Sequence, residues 1–402
     1  MRTVIIFISV LFTIAACSKL EQADNSTPKL LWKTPLLNGK ESFSFNPVIY
    51  KDWVIYGVKY ARLDHFEKPK VVALNKNTGE KAWEWNDAQS DKESYSAFDD
   101  TYTYQNILVI STGASVYAID MNTGKSLWTT KAPEAGSPSI LGVGDKIYHV
   151  RRNFDKKQDV LLKANIRVGS WEAVCTIRKE NKIALINYYR LINKDEDGKT
   201  YLYFTFGYNN LEYTDSELHL LKLDTETDSI LMDKIQPKEG GNSITGIDGK
   251  RIYLTGEGKI IGYDKMTGEA LKTYTLPKFQ SYPCGAGNCI VYGTKLFSPT
   301  SYPRFMCFDT ENTNTLWYED GISTSVPSRL LYHDGVVYYT SGSDGNLHAI
   351  NENGKRLWKA VSPDRKGSGD GIFDSAITID KGENRLYVST YYNAYCYETI
   401  KK

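Results

Sequence analysis

The sequence predicts an all-β chain folded as an eight-bladed β-propeller of four-stranded antiparallel blades, on three observations. Composition favours strands and tight turns: 29 Tyr, 14 Phe and 31 Gly stand against 5 Met in 402 residues. A short motif recurs, clearest as VVALNKNTGEKAW at residues 71–83 and VYAIDMNTGKSLW at 116–128. Taking its closing Trp, or a Leu in its place, as marker gives positions 32, 83, 128, 171, 231, 271, 317 and 358. These markers are spaced at about the length of a propeller blade.

The elements follow in chain order. Residues 1–16 read as a processing signal, with Arg2 before an apolar run from Val4 to Ala16. Thirteen residues at about 1.5 Å rise fall short of a bilayer core of about 30 Å, which argues against a permanent transmembrane helix. The run Ile14-Ala15-Ala16-Cys17 resembles a bacterial lipobox, which implies cleavage before Cys17 and acylation of its thiol. Residues 17–29 form the lipidated cysteine and a polar tether, SKLEQADNSTPK, with a reach of about 20 Å. Ser18 after the cysteine favours the outer over the inner membrane. Residues 30–402 are then a single propeller domain.

Within each repeat, alternating apolar residues such as Val116 and Ala118 make a strand. Asp120 ends it, Asn122-Thr123-Gly124 turns the chain, and Trp128 opens the next strand as a flat aromatic filling space between blades. These positions are read as structural. Weaker copies lie at 218–231, 260–271, 305–317 and 347–358, and a degenerate one ends at Trp171. Trp32 has no blade before it, and 372–397 supplies three strands with no fourth after them. Leu30–Trp32 is therefore expected to complete the C-terminal blade, removing an open edge.

This motif resembles the pyrroloquinoline-quinone-type propeller repeat, over nearly all of 30–402. That resemblance implies one of two activities. Quinoprotein dehydrogenases hold the quinone and calcium over a catalytic aspartate. The propeller lipoprotein of the outer-membrane β-barrel assembly machinery is a scaffold without quinone. The chain has no C-x-x-C-H haem site and no adjacent cysteine pair, and it is short for the dehydrogenase class. The expectation is a non-enzymatic scaffold with no cofactor, no metal and no catalytic residue. Cys284 and Cys289 bracket Gly285-Ala286-Gly287-Asn288 at a spacing that could close a small disulfide loop in an oxidising envelope. Cys175, Cys307 and Cys396 lie in strand patterns and read as core. The five histidines show no ligand spacing, and 364–374, although acidic and Gly-rich, departs from a calcium loop.

Lys+Arg 49 against Asp+Glu 48 leaves no basic field, which excludes nucleic acid as a partner class. The long connections, among them 60–70, 86–100, 151–159, 209–216, 298–304 and 362–374, emerge on one face. That face is the expected working surface. Its candidate contacts are Arg151, Arg152 and Phe154, with Arg62, Tyr302 and Arg304, because Arg and aromatic side chains anchor protein interfaces. The expected partners are envelope proteins, with the barrel-forming assembly subunit first among them. The protein would be a monomer within that complex, lipid-anchored on the periplasmic side of the outer membrane. A quinoprotein dehydrogenase and a cell-surface carbohydrate- or peptide-binding propeller are the alternatives. Blade enlargement near Tyr201, Tyr203, Phe206, Tyr208 and Tyr213 bears on the latter, although core packing explains Tyr201 and Tyr203 equally well.

Overall fold

The motif's Asp and Asn residues cap every described turn between third and fourth strands in the same way. Asp120 Oδ1 accepts the backbone N–H groups of Asn122 and Thr123 at 2.7 and 3.3 Å, and the corresponding aspartates Asp264 and Asp309 do the same. An Asx side chain thus pre-forms the turn. At the turn's end the chain enters the left-handed region, at Gly79, Gly124, Gly169 and Gly268 with φ of 70–76°. Asp228 and Thr313 hold the corresponding place in two other blades.

A computed structural model describes residues 27–36, 45–59, 61–62, 65–93, 101–112, 115–131, 137–153, 155–210, 216–237, 243–256, 258–276, 278–279, 282–283, 289–300, 304–320, 330–341, 344–366, 371–373 and 377–400. Eight four-stranded antiparallel sheets form a propeller. Blades 1 to 7 span 48–85, 101–131, 137–177, 183–236, 243–275, 290–320 and 331–360, each a meander of strands a to d. Blade 8 takes its first three strands from 378–398 and its fourth from Leu30–Pro35, which pairs antiparallel with Asn393–Glu398. The expected closure is present. First strands of blades 2 to 8 touch in turn, and that of blade 8 touches blade 1, so that they surround the axis. The apolar clusters lie between blades: Ile55, Ala73 and Trp85 of blade 1 pack with Leu108, Ile110 and Tyr117 of blade 2.

The repeat's Trp closes these seams. Trp32 lies against Gly79 of the next blade, Trp83 against Gly124 and Trp128 against Gly169. A Cβ on any of these glycines would fall 2.6–2.8 Å from the nearest indole atom. Each indole N–H donates to a carbonyl of the same turn: Trp32 to Lys76, Trp83 to Met121, Trp128 to Ile166. Glycine is thus required twice over, for its φ and for the contact.

Strand pairing corrects three markers. A bulge in the outer strand places Trp83 opposite Ala73, Trp128 opposite Ala118 and Trp317 opposite Cys307, skipping the residue before each Trp. By the same register Met232 stands opposite Lys222 and Lys272 opposite Gly262. Met232 and Lys272, not Leu231 and Leu271, therefore hold the Trp place, and both leucines are exposed bulge residues. Trp171, opposite Ala164, sits two positions before the Trp place and bonds back to Thr130 of blade 2. Spacing alone could not separate a bulge residue from its neighbour.

Candidate functional site: the loop face

A meander sends its a–b and c–d turns to one face and its b–c and d–a connections to the other. The long connections therefore share one face, as expected, and part of each lies outside the described residues. The described parts of this loop face are held by internal polar networks.

Between blades 3 and 4, Arg152 at the end of strand b forms a bidentate pair with Asp159, Nε to Oδ1 at 3.1 Å and Nη2 to Oδ2 at 3.0 Å. Asp159 is fully buried and also accepts the N–H of Ile186 at 2.7 Å, and Nη2 reaches the Ile186 carbonyl. Arg152 is thus a strut between blades. Its neighbour Arg151 is half-buried, with an Nε that meets no hydrogen-bond partner among the described residues. Arg304, at the start of a third strand in blade 6, lays its guanidinium 4.3 Å from the Tyr318 ring centroid. Arg62 belongs to a two-residue ribbon, Ala61–Arg62 with His65–Phe66, in the b–c connection of blade 1. Phe154, Tyr302, Cys17 and Cys284 lie outside the described residues. Cys289 sits before the first strand of blade 6 with its Sγ 3.4 Å from Ser298 Oγ. Cys307 and Cys396 are buried as expected, and Cys175 is half-buried.

Three networks on this face were not foreseen from sequence. The buried carboxylate of Glu93, from the connection after blade 1, accepts Thr112 Oγ1 at 2.6 Å, Ser115 Oγ at 3.2 Å and Tyr117 Oη at 2.8 Å. Lys59 donates to the carbonyls of Asp91 and Glu93; burial lowers its pKa, against the pull of those two carboxylates. At the closing blade, Asp364 accepts Lys33 Nζ at 2.8 Å, Thr390 Oγ1 at 2.7 Å and Asn393 Nδ2 at 2.6 Å. Burial alone would raise its pKa, but those donors, Lys33 first, bring it down to about 2. This clasp ties the N-terminal strand to the last blade. In blade 7, buried His348 Nε2 lies 3.1 Å from both Asp344 oxygens, and Arg365 donates to the Asp344 carbonyl. The Glu93 and Asp364 networks join residues far apart in sequence, so no spacing in the chain announces them, and the nearby pair Asp344 and His348 is joined by Arg365 from 21 residues on.

The acidic segment at 364–374 thus spends its first carboxylate on a lysine and two neutral donors. Among the described residues no three His, Cys, Asp or Glu side chains gather as a metal-binding group. The networks fix loops onto the blades, so the geometry supports a rigid docking platform.

A family model described as outer membrane protein assembly factor BamB matches residues 9–183 and 219–401. Solved structures share the fold at low identity. BamB from Moraxella catarrhalis aligns with TM-score 0.61 and 15% identity over 94% of this chain and 99% of its own. The Dos1 propeller aligns at 0.60 and 11%, over 93% and 98%. A europium-containing methanol dehydrogenase aligns at 0.60 and 14%, over 91% and 86%. No curated protein sequence matches.

Proposed function

The chain belongs to the family of the outer membrane protein assembly factor BamB, and from that premise we propose that it is a non-enzymatic, lipid-anchored scaffold of the bacterial outer membrane. It docks the barrel-forming assembly subunit through its loop face, on the periplasmic side, with acylated Cys17 as the anchor. The observation that carries this reading is the family match over both halves of the propeller. The polar side chains described on the loop face support it, since they are spent on holding loops in place. Rigid loops lower the ordering cost of association.

Of the candidate contacts, Arg151 and Arg304 are the ones to change. Arg152 also lies on the face, but its guanidinium holds Asp159, so altering it would unsettle the seam between blades 3 and 4. The test is chemical crosslinking in the native envelope, followed by extraction on a C-terminal affinity tag and mass spectrometry. Recovery of the barrel-forming subunit, reduced in a folded Arg151→Glu, Arg304→Glu variant, supports the reading. If the subunit never appears with abundant, folded protein, the assembly role is wrong. Quinone absorbance and glycan binding then test the two alternatives.

A further inference from the structure

We propose that the turn face, the one opposite the loop face, rests on the lipid surface that the tether reaches, through apolar side chains at its rim. This rests on the reading of Cys17 as the anchor. The occupant follows from where the chain leaves the propeller. Leu30–Pro35 is the outermost strand of blade 8, and Leu30 pairs with Tyr397 while Lys29 accepts from Glu398 N–H, at the end of the third strand. Third strands run toward the c–d turns, so the chain enters the fold at the rim of the turn face. The lipidated cysteine is then attached to that corner by a tether of about 20 Å reach.

Presenting the loop face to the membrane would require the tether to climb the blade. Six residues of strand at about 3.4 Å each make that height about 20 Å, which uses the whole reach of the tether. Presenting the turn face requires none of it.

The apolar surface is distributed accordingly. Among the described residues eleven large apolar side chains are exposed, and nine belong to c–d turns, an a–b turn or the adjoining halves of outer strands. Met266 and Val168 stand at c–d turns of blades 5 and 3, 70% and 65% exposed. Ile230 opens the outer strand of blade 4 beside its c–d turn, Tyr292 ends the first strand of blade 6, and Leu30 lies at the tether's entry. Among the described residues only Ile235 and Val361 lie toward the loop face. Isolated exposed apolar residues are ordinary on soluble proteins. Their segregation to the anchored face is not, and protruding apolar side chains insert at the headgroup boundary. Tyr292 suits that depth, with its ring stacked 3.7 Å from the Tyr332 centroid and its body exposed. The loop face then looks away from the lipid, toward soluble parts of a partner.

The test places a benzophenone amino acid at Val168, Met266 or Val361 in the full-length lipidated protein, reconstituted in vesicles of radiolabelled phosphatidylethanolamine and phosphatidylglycerol. Irradiation is expected to transfer label to protein from positions 168 and 266, several-fold above position 361. Equal transfer at all three positions, or stronger transfer at 361, overturns the proposal. The anchor is checked separately by the acyl mass on the N-terminal peptide. If Cys17 carries no acyl group, the anchor reading fails on its own, whatever the labelling pattern. Melting temperatures of the three variants confirm that each is folded.

Discussion

Between blades 8, 1, 2 and 3 an aromatic plane lies on a glycine, whereas between blades 4 and 5 two lysines converge on one buried aspartate. Asp195, in the hairpin between the first strands of blade 4, accepts Lys222 Nζ at 2.9 Å, Lys265 Nζ at 3.0 Å, Tyr203 Oη at 2.6 Å and Asn193 Nδ2 at 2.7 Å. Lys222 and Lys265 are themselves buried, Lys222 with its ammonium 3.8 Å from the Tyr201 centroid. Both arrangements tie a turn of one blade to its predecessor. The first is apolar and repeated at three seams; the second centres two lysines on one aspartate, although Lys76 in the turn of blade 1 also meets Asp380 and Glu383 of blade 8 beside the Trp32 contact. The same architectural demand can be met by unrelated chemistry, and only the repeated answer leaves a pattern in the sequence.

The largest effect is expected where the buried cluster of the ionic seam loses Asp195. Asp195→Asn leaves two buried ammonium groups uncompensated and should cost about 3–5 kcal/mol, read as a fall in the urea midpoint. Replacing all three charges together, Asp195→Leu with Lys222→Met and Lys265→Leu, should recover most of that loss, because the desolvation penalty disappears with the charges. A triple variant as unstable as Asp195→Asn would mean that the seam depends on the ion pairs themselves.

At the aromatic seam the matching substitution is Gly124→Val. Its Cβ would lie 2.6 Å from the Trp83 ring at a φ of +70°, so overpacking and backbone strain add to about 3 kcal/mol. Gly144→Ala supplies the contrast: it has positive φ but nothing within 4 Å, and should cost only about 1 kcal/mol. Near-equal losses would show that backbone strain, not indole docking, fixes these glycines.

Acid should separate the two regions further. The pKa of Asp195 would be raised by burial, but Tyr203, Lys222 and Lys265 bring it down to about 2, and Asp364 at the closure is likewise held at about 2. Each folded value lies below the unfolded carboxylate, so the stabilisation is present above about pH 4 and is lost as pH falls toward 2. Each group contributes about 2 kcal/mol by this linkage. Unfolding followed from pH 7 to pH 3 should show a steep loss in the wild type and a shallower one in Asp364→Asn, which starts lower. An unchanged slope in that variant would remove the clasp from the account.

Much of this division was legible beforehand. The Asp-x-x-x-Gly turns, the Trp seven or eight residues after the strand end, and the closure by Leu30–Pro35 all follow from local preferences that recur from blade to blade. The Asp195 cluster joins residues 27 and 70 apart in sequence, and the Asp364 clasp joins Lys33 to a residue 331 positions away. Such pairings depend on packing within and between blades, and for Lys33 on the closure of the ring, and no local preference encodes them. The candidate contacts divide the same way: Arg151 and Arg152 are expected in a long connection but lie at the end of a strand, and which of them is tied to Asp159 is decided by blade 4.

The smallest effect is the sharpest test of the comparison, because it asks whether one seam can be converted into the other. Lys272 holds the Trp place of blade 5, and its Nζ donates at 2.6 Å to the Glu311 carbonyl, in the turn of blade 6. It supplies the donor that an indole N–H supplies elsewhere. The turn it meets carries Thr313 at φ +62° where the turns of blades 1, 2, 3 and 5 have glycine, so a Cβ occupies the ground on which an indole would lie. Lys272→Trp alone should therefore destabilise by about 1 kcal/mol, through contact with Thr313. Thr313→Gly alone should be nearly neutral, since relief of strain offsets a more flexible unfolded chain. Combined, the two should restore wild-type stability or better, giving a coupling of about 1 kcal/mol in a double-mutant cycle followed by urea unfolding. Additivity within about 0.3 kcal/mol would show that Trp and Gly are not the matched pair that blades 8, 1, 2 and 3 present.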